Sequence, residues 1–433
     1  MLPFEIRSLC FAALLTLGSG LFAEEQYVVT DFGAVADGSA LNTAAIQSAI
    51  DAAARKGGGT VVIPAGVFRS GSLFLKSGVG LRLAAGAVLR GSENIADYPK
   101  QLTRIEGQFI PWRMALINAQ ELTGLRLSGP GKIDGRGPGF WAAFWQRRKE
   151  KADCTNLEVE RPRLLFIDRC RDVRIDGLTL ENAGFWNIHL YRCAKVLIEG
   201  VSISTPEGVR APSTDGIDID SSQKVTVRHC RIAVDDDCIA LKGSKGPRAD
   251  RDTDSPPVED ILVEQCEFGR GSGVLTCGSE ATVVRRVVVR DCTVTGPATL
   301  LRLKLRPDTP QRYEDILIDR IRFSGGRGRL LEARPWRQFF DLQGLPPPRP
   351  RVVNNLTVRN LSGEYGAFGV LSGNPGDVLR NITLENIRLE LKNGRLELGP
   401  VEHLVMRNVV VNGKEVTVAD IGKSEATVPP LRE

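Results

Sequence analysis

Histidine is nearly missing from this chain of 433 residues, which has three. A serine nucleophile activated by an imidazole base therefore has little material to draw on. Aromatic residues are sparse at 6%. Charge of one dominant sign is also lacking. Lys+Arg 57 against Asp+Glu 52 leaves a net +5, too slight and scattered to indicate a nucleic-acid partner, though no obstacle to an acidic polymer. The only long apolar run is Leu9–Ala23, so no membrane association is expected once that stretch is gone. Glycine-rich stretches have no strand-to-helix context, which argues against a phosphate cradle. Helical periodicity is nearly absent through the middle of the chain.

The run Leu9–Ala23 follows Arg7, ends in small residues and is interrupted by Gly18 and Gly20. It is too short and broken for a membrane anchor and reads as a secretory signal over residues 1–23. Its removal takes away Glu5 and Arg7, leaving the net charge unchanged, and a secreted or periplasmic protein is expected. Cys10 lies in that segment, and eight cysteines remain. Export permits disulfides. Yet Cys170, Cys193, Cys230, Cys266 and Cys292 each sit beside a Val/Ile-rich segment in similar contexts. One column of mostly free, buried thiols accounts for that pattern.

What is abundant is a short repeated strand pattern. It occurs at Val173-Arg174-Ile175, Val196-Leu197-Ile198, Val225-Thr226-Val227, Ile261-Leu262-Val263, Val287-Val288-Val289, Ile316-Leu317-Ile318, Leu356-Thr357-Val358, Ile382-Thr383-Leu384 and Leu404-Val405-Met406. Successive starts are 22 to 40 residues apart, the range of solenoid repeats. Alternating apolarity without intervening helices predicts a parallel β-helix, over residues 24–433 as one domain. One helix signal stands early. Asn42 is expected to cap a stretch with Ala45, Ile46, Ala49, Ile50 and Ala53 on one face, ended by Gly57-Gly58-Gly59, and to cover the solenoid's open end. Residues 243–257 and 344–350 read as inserted loops.

Six carboxylates fall within 23 residues: Asp215, Asp218, Asp220, Asp235, Asp236 and Asp237. Like charges held close push one pKa up while others stay low, which lets carboxyl groups serve as acid and base in one site. Hydrolysis of a sugar linkage is the leading chemistry of that kind. From Asp215 to Asp236 is 21 residues, close to one coil, so Asp215 is expected about 4.8 Å from Asp236 and Asp237. Ser272 follows near one coil later if the intervening loop is set aside, and another 30 residues reach Arg302 and Lys304. Those two cations, at i and i+2 of a strand, share a face and suit an anionic sugar polymer.

Blander roles compete. Asp218, Asp220 and Asp235 suit turn residues that bond backbone amides, and Asp-x-Asp spacing also occurs in calcium sites. Adjacent Asp236 and Asp237 tend to point to opposite faces of a strand, which disfavours a metal. No metal or cofactor is expected. Arg302 and Lys304 also suit solvated charges. His189 is more readily structural than catalytic, and the five tryptophans serve either as core or as sugar platforms.

These residues resemble the polygalacturonase family, glycoside hydrolase family 28. Asp31-Phe32-Gly33-Ala34 before Asn42-Thr43 is similar to its N-terminal cap, and Gly129-Pro130-Gly131-Lys132-Ile133-Asp134-Gly135 to its Gly-x-Gly-x-Ile-Asp-Gly. Trp186-Asn187-Ile188-His189 resembles its Trp-x-Ile-His segment. Ser213-Thr214-Asp215 stands where the family has Asn-Thr-Asp, Asp236-Asp237-Cys238 matches Asp-Asp-Cys, and Arg302-Leu303-Lys304 resembles Arg-Ile-Lys. The likeness runs from about residue 27 to 415. It implies a right-handed parallel β-helix and inverting hydrolysis of α-linked galacturonic acid in an acidic polysaccharide. By it Asp236 is the general acid, Asp215 and Asp237 activate water, and Arg302 and Lys304, with Ser272 and His189, bind substrate. A monomer is expected.

One departure matters. Gly271-Ser272-Gly273 stands where the family has Gly-His-Gly, and serine cannot supply an imidazolium charge. A slower enzyme, a changed pH optimum or a rhamnogalacturonan-type linkage would each follow. A pectate lyase and a non-catalytic carbohydrate-binding β-helix are the competing functions.

Overall fold

The computed structural model describes residues 25–421, so the signal read over 1–23 lies outside the described residues. Thirty-one strands join into one continuous sheet that winds as a right-handed parallel β-helix. Each coil turns because single residues adopt left-handed backbone conformations at fixed corners. One corner carries Asp172, Lys195, Lys224, Asp260, Arg286, Asp315, Asn355 and Asn381, all with φ between 53° and 60°. A second carries His229, Gln265, Asp291, Arg320, Asn360, Asn386 and Asn408. Asn and Asp tolerate this conformation best. At the second corner they also ladder: Asn408 Nδ2 donates to Asn386 Oδ1 at 3.0 Å, and Asn386 Nδ2 to Asn360 Oδ1 at 3.3 Å.

Between corners the register is strict, so one inward position repeats up the axis. The column Ile167, Leu190, Ile219, Leu241, Cys277 and Leu303 is paired residue to residue and buried. The repeated triplets noted in the sequence form another wall, with Val173, Val196, Val225, Ile261, Val287 and Ile316 aligned. The cysteines depart from expectation. All eight described thiols are free and buried. However, the five singled out in the sequence form two stacks at different corners instead of one, Cys170 on Cys193 and Cys230 on Cys266 on Cys292, joined by backbone bonds such as Thr293 N to Cys266 O at 3.0 Å.

Helix α1 (Thr43–Arg55) buries Ile46, Ala49, Ile50 and Ala53 against the first coil. Asn42 stands at its N-cap position, but its side chain makes no capping bond. Its side chain instead binds Val35 N at 2.7 Å and Ala40 O at 2.9 Å, tying down the preceding loop. A second helix, α2 (Pro138–Glu150), was not evident in the sequence. It starts on Pro138, whose missing N–H costs nothing there. Phe140, Trp141 and Phe144 bury it on the coil, and Trp141 Nε1 donates to Ala183 O at 2.9 Å. An antiparallel hairpin (Lys100–Ile105 with Gln108–Arg113) projects over the same flank. Its tip is Gly107, with φ 73°, where a Cβ would lie 2.8 Å from Gly243 O.

Truncating Ile219 to alanine deletes a link in the inner column. The expected cost is roughly 2–5 kcal/mol in urea unfolding, against less than about 0.5 kcal/mol for the half-exposed Thr226→Ala of the next strand.

Candidate active site

Corner geometry gathers the acids. Ile217 pairs with Ile239, and Gly216 N donates to Asp237 O at 2.9 Å, so Asp215 lies beneath Asp237. Asp236 is bonded one coil onward, its carbonyl accepting Ser272 N at 2.8 Å. The expected stacking of Asp215 under both acids therefore holds for Asp237 alone. Asp236 and Asp237 sit in the turn ahead of strand Ile239–Lys242, so strand alternation does not separate them and both line one cleft. Arg302 lies on the coil after Ser272, paired with Thr276.

The cleft has a volume of about 930 Å³. Asp215, Asp236, Asp237, Ser272, Arg302 and Lys304 line it, as expected from the sequence. Three tryptophans, Trp145, Trp186 and Trp336, stand in its walls, whereas Trp112 and Trp141 are core. His189 does not reach the cleft. It is fully buried, which corrects its expected place among substrate-binding residues. Arg163 Nη1 donates to its Nδ1 at 2.8 Å, which puts the ring proton on Nε2 facing Asp220 Oδ2 at 3.4 Å. Burial and the arginines push its pKa down to about 4, leaving a neutral support under the site floor.

Asp237 has the most charge compensation. Lys304 Nζ is 2.7 Å from its Oδ2, Arg302 Nη1 3.4 Å from Oδ1, and Thr276 Oγ1 donates to Oδ1 at 2.7 Å. Burial opposes its ionisation, but Lys304, Arg302 and Lys242 prevail and hold its pKa down to about 2. Asp215 and Asp236 are both raised. Burial pushes Asp215 up to about 7, with Asp236 and Asp237 adding to it. Asp236, partly exposed, is raised by desolvation and then by the charge of Asp237. Asp237 is thus held ionised beside two carboxyls, Asp215 and Asp236, that burial and mutual repulsion raise.

Below them lies a hub that sequence reasoning missed. Lys242 Nζ is 3.4 Å from Asp215, 3.5 Å from Asp218 and 3.5 Å from Glu280, and it lies 4.7 Å from the centre of the Trp186 ring. One cation cannot neutralise three acids. Asp218 is raised well above the ordinary carboxyl range by burial and by Asp215, and both its oxygens lack hydrogen-bond partners. Asp218 and Asp220 therefore belong to buried networks within a strand, not to turns. Asp220 receives Arg104 Nε at 3.0 Å. Only Asp235 meets the turn expectation, accepting Ala211 N at 2.7 Å beside Arg270. Glu106 arrives from the hairpin tip, bonded by Asn156 Nδ2 at 2.9 Å.

A cleft of paired acids, cations and indoles on the flank of a coiled parallel sheet defines a β-helical glycoside hydrolase. The model for glycosyl hydrolases family 28 matches residues 56–324, and the chain belongs to that family, whose members hydrolyse O-glycosyl bonds of polysaccharides. A probable polygalacturonase of Vitis vinifera is 27% identical over 391 residues, 84% of this chain and 74% of that one. An endo-polygalacturonase of Pectobacterium parmentieri is 30% identical over 337 residues, 75% of this chain and 77% of its own. The crystal structure of an exopolygalacturonase from Thermotoga maritima superimposes with a TM-score of 0.70 at 23% identity, covering 90% of this chain and 92% of that one.

Replacing Lys242 with methionine removes the cation nearest Asp215. The Asp215 carboxyl, followed by carbon NMR, should then titrate at higher pH than in the parent. An unmoved titration would mean that Lys242 does not set its charge.

Proposed function

We propose that this protein is a polygalacturonase that cleaves α-linked galacturonic acid in pectic polysaccharide with inversion. It would be exported by way of residues 1–23 and act as a monomer of one β-helical domain over 24–433. The observation that carries the reading is the split among the three cleft acids. Asp236, raised and partly exposed, is the general acid that gives its proton to the leaving glycosidic oxygen. Asp237, kept ionised by Lys304 and Arg302, and Asp215 on the coil beneath hold the attacking water. The water oxygen bonds to the anomeric carbon from the opposite side, and its proton passes to that pair. Acid and base both come from side chains of the chain, so the chemistry invokes no cofactor. Arg302, 17% exposed, together with Lys304 and Ser272, meets the sugar on the Trp336 side. The named relatives from Vitis and Pectobacterium support galacturonan as the backbone.

Ser272 favours a second reading on the same chemistry, a rhamnogalacturonan-type linkage. It lines the cleft where the resembled family carries histidine, and it offers one hydroxyl in place of a titratable ring.

Polygalacturonate should yield new reducing ends, and Asp236→Asn should lower the rate roughly 10²–10⁴-fold while circular dichroism stays unchanged. Equal release by both proteins would remove the assignment. Products absorbing in the ultraviolet would indicate a lyase, and faster turnover of rhamnogalacturonan would select the second reading. Ser272→His should raise the rate on polygalacturonate.

A further inference from the structure

The cations beside the acids are largely committed. Lys242 serves three carboxylates, Lys304 serves Asp237, Arg302 serves Asp237 and Glu332, and Lys245 faces Glu106. On the opposite wall the situation reverses. In and just after α2, Arg147 pairs with Glu150 and Glu158, and Lys151 pairs with Glu158. Between them, Arg148 and Lys149 face the cleft, and Arg210 joins them from the loop before Asp215. Among the described residues these three have no carboxylate within 4.0 Å.

This wall is built, not a loose fringe. The Arg210 guanidinium lies 4.1 Å from the centre of the Trp145 ring, and Trp145 Nε1 donates to Arg210 O at 2.7 Å. Beneath, Arg161 is sandwiched 4.5 Å from both Phe144 and Phe185, which fastens the helix to the coil. A stacked guanidinium keeps its planar fork free for a carboxylate.

We propose that Arg148, Lys149 and Arg210, set around Trp145, form a second anion-binding subsite, which takes the carboxylate of a uronic acid flanking the sugar that is cleaved. This rests on the hydrolase reading above and assigns to it a substrate charged on consecutive sugars. A neutral neighbour would leave three unpaired cations in the cleft wall.

The test is the double variant Arg148→Gln/Arg210→Gln, which keeps side-chain bulk and leaves the Arg210 carbonyl bond to Trp145 intact. On polygalacturonate its KM should rise roughly 10- to 100-fold, with kcat far less affected and a shallower dependence on salt. On the methyl-esterified polymer the loss should be much smaller. Arg148→Lys/Arg210→Lys should recover part of the affinity. An unchanged KM on polygalacturonate, or equal losses on both polymers, would overturn the subsite. Calorimetric binding of tri-galacturonate separates this from the hydrolase reading. Weaker binding by the double variant, with no turnover by the parent, would keep the subsite and discard the hydrolase; no binding by the parent would discard the subsite.

Discussion

In-register hydrogen bonding between successive coils is the constraint from which the rest of this molecule follows. A parallel ladder carries each residue onto its counterpart one coil on. A single left-handed residue at each corner then fixes where the next strand begins. The core, the thiol stacks and the acidic cleft are three readings of the same repetition. Where the repeated position is apolar and inward, it makes the column from Ile167 to Leu303. Where it lies at the turn before a short strand, it places Asp215 beneath Asp237. Insertions interrupt coils without shifting register, so hairpin 100–113, α2 and the 243–257 loop add walls while the floor stays in place.

Stacking acids also concentrates negative charge in a place with little water. Asp215, Asp218, Asp237, Glu106 and Glu280 are all buried, and Lys242 and Lys304 are the buried cations that face them. Burying unpaired carboxylates is costly, so some of these groups keep protons instead of charge. The different environments of Asp237 and Asp236 follow directly. One receives two cations and a threonine hydroxyl, while the other sits beside that charged neighbour with no cation within 4.0 Å among the described residues.

The coil architecture, the N-terminal helix and the cleft acids were legible because each is a local or evenly spaced signal. Ile46, Ala49, Ile50 and Ala53 form a helical face in any context, and the Val/Ile triplets repeat in plain view. Lys242 was not legible. At the end of Cys238-Ile239-Ala240-Leu241 it reads as a solvated strand end, and only the coils on either side turn it into a hub. Helix α2 escaped because its apolar residues bunch between Phe140 and Trp145 instead of recurring along its length. His189 misled through its motif, since the neighbouring Trp186 faces the cleft while the imidazole points beneath it. That Arg302 falls opposite Thr276 depended on the length of each coil, which no periodicity in the sequence supplies.

The thiol stacks bear on how such a chain matures. A disulfide-built exported protein waits for an oxidant and for isomerases to sort its partners. Here Cys230, Cys266 and Cys292 fill space as small apolar side chains, and the backbone ladder supplies the crosslinking. The coil of the described residues thus draws on no oxidant, and its assembly should not depend on the redox poise of its surroundings.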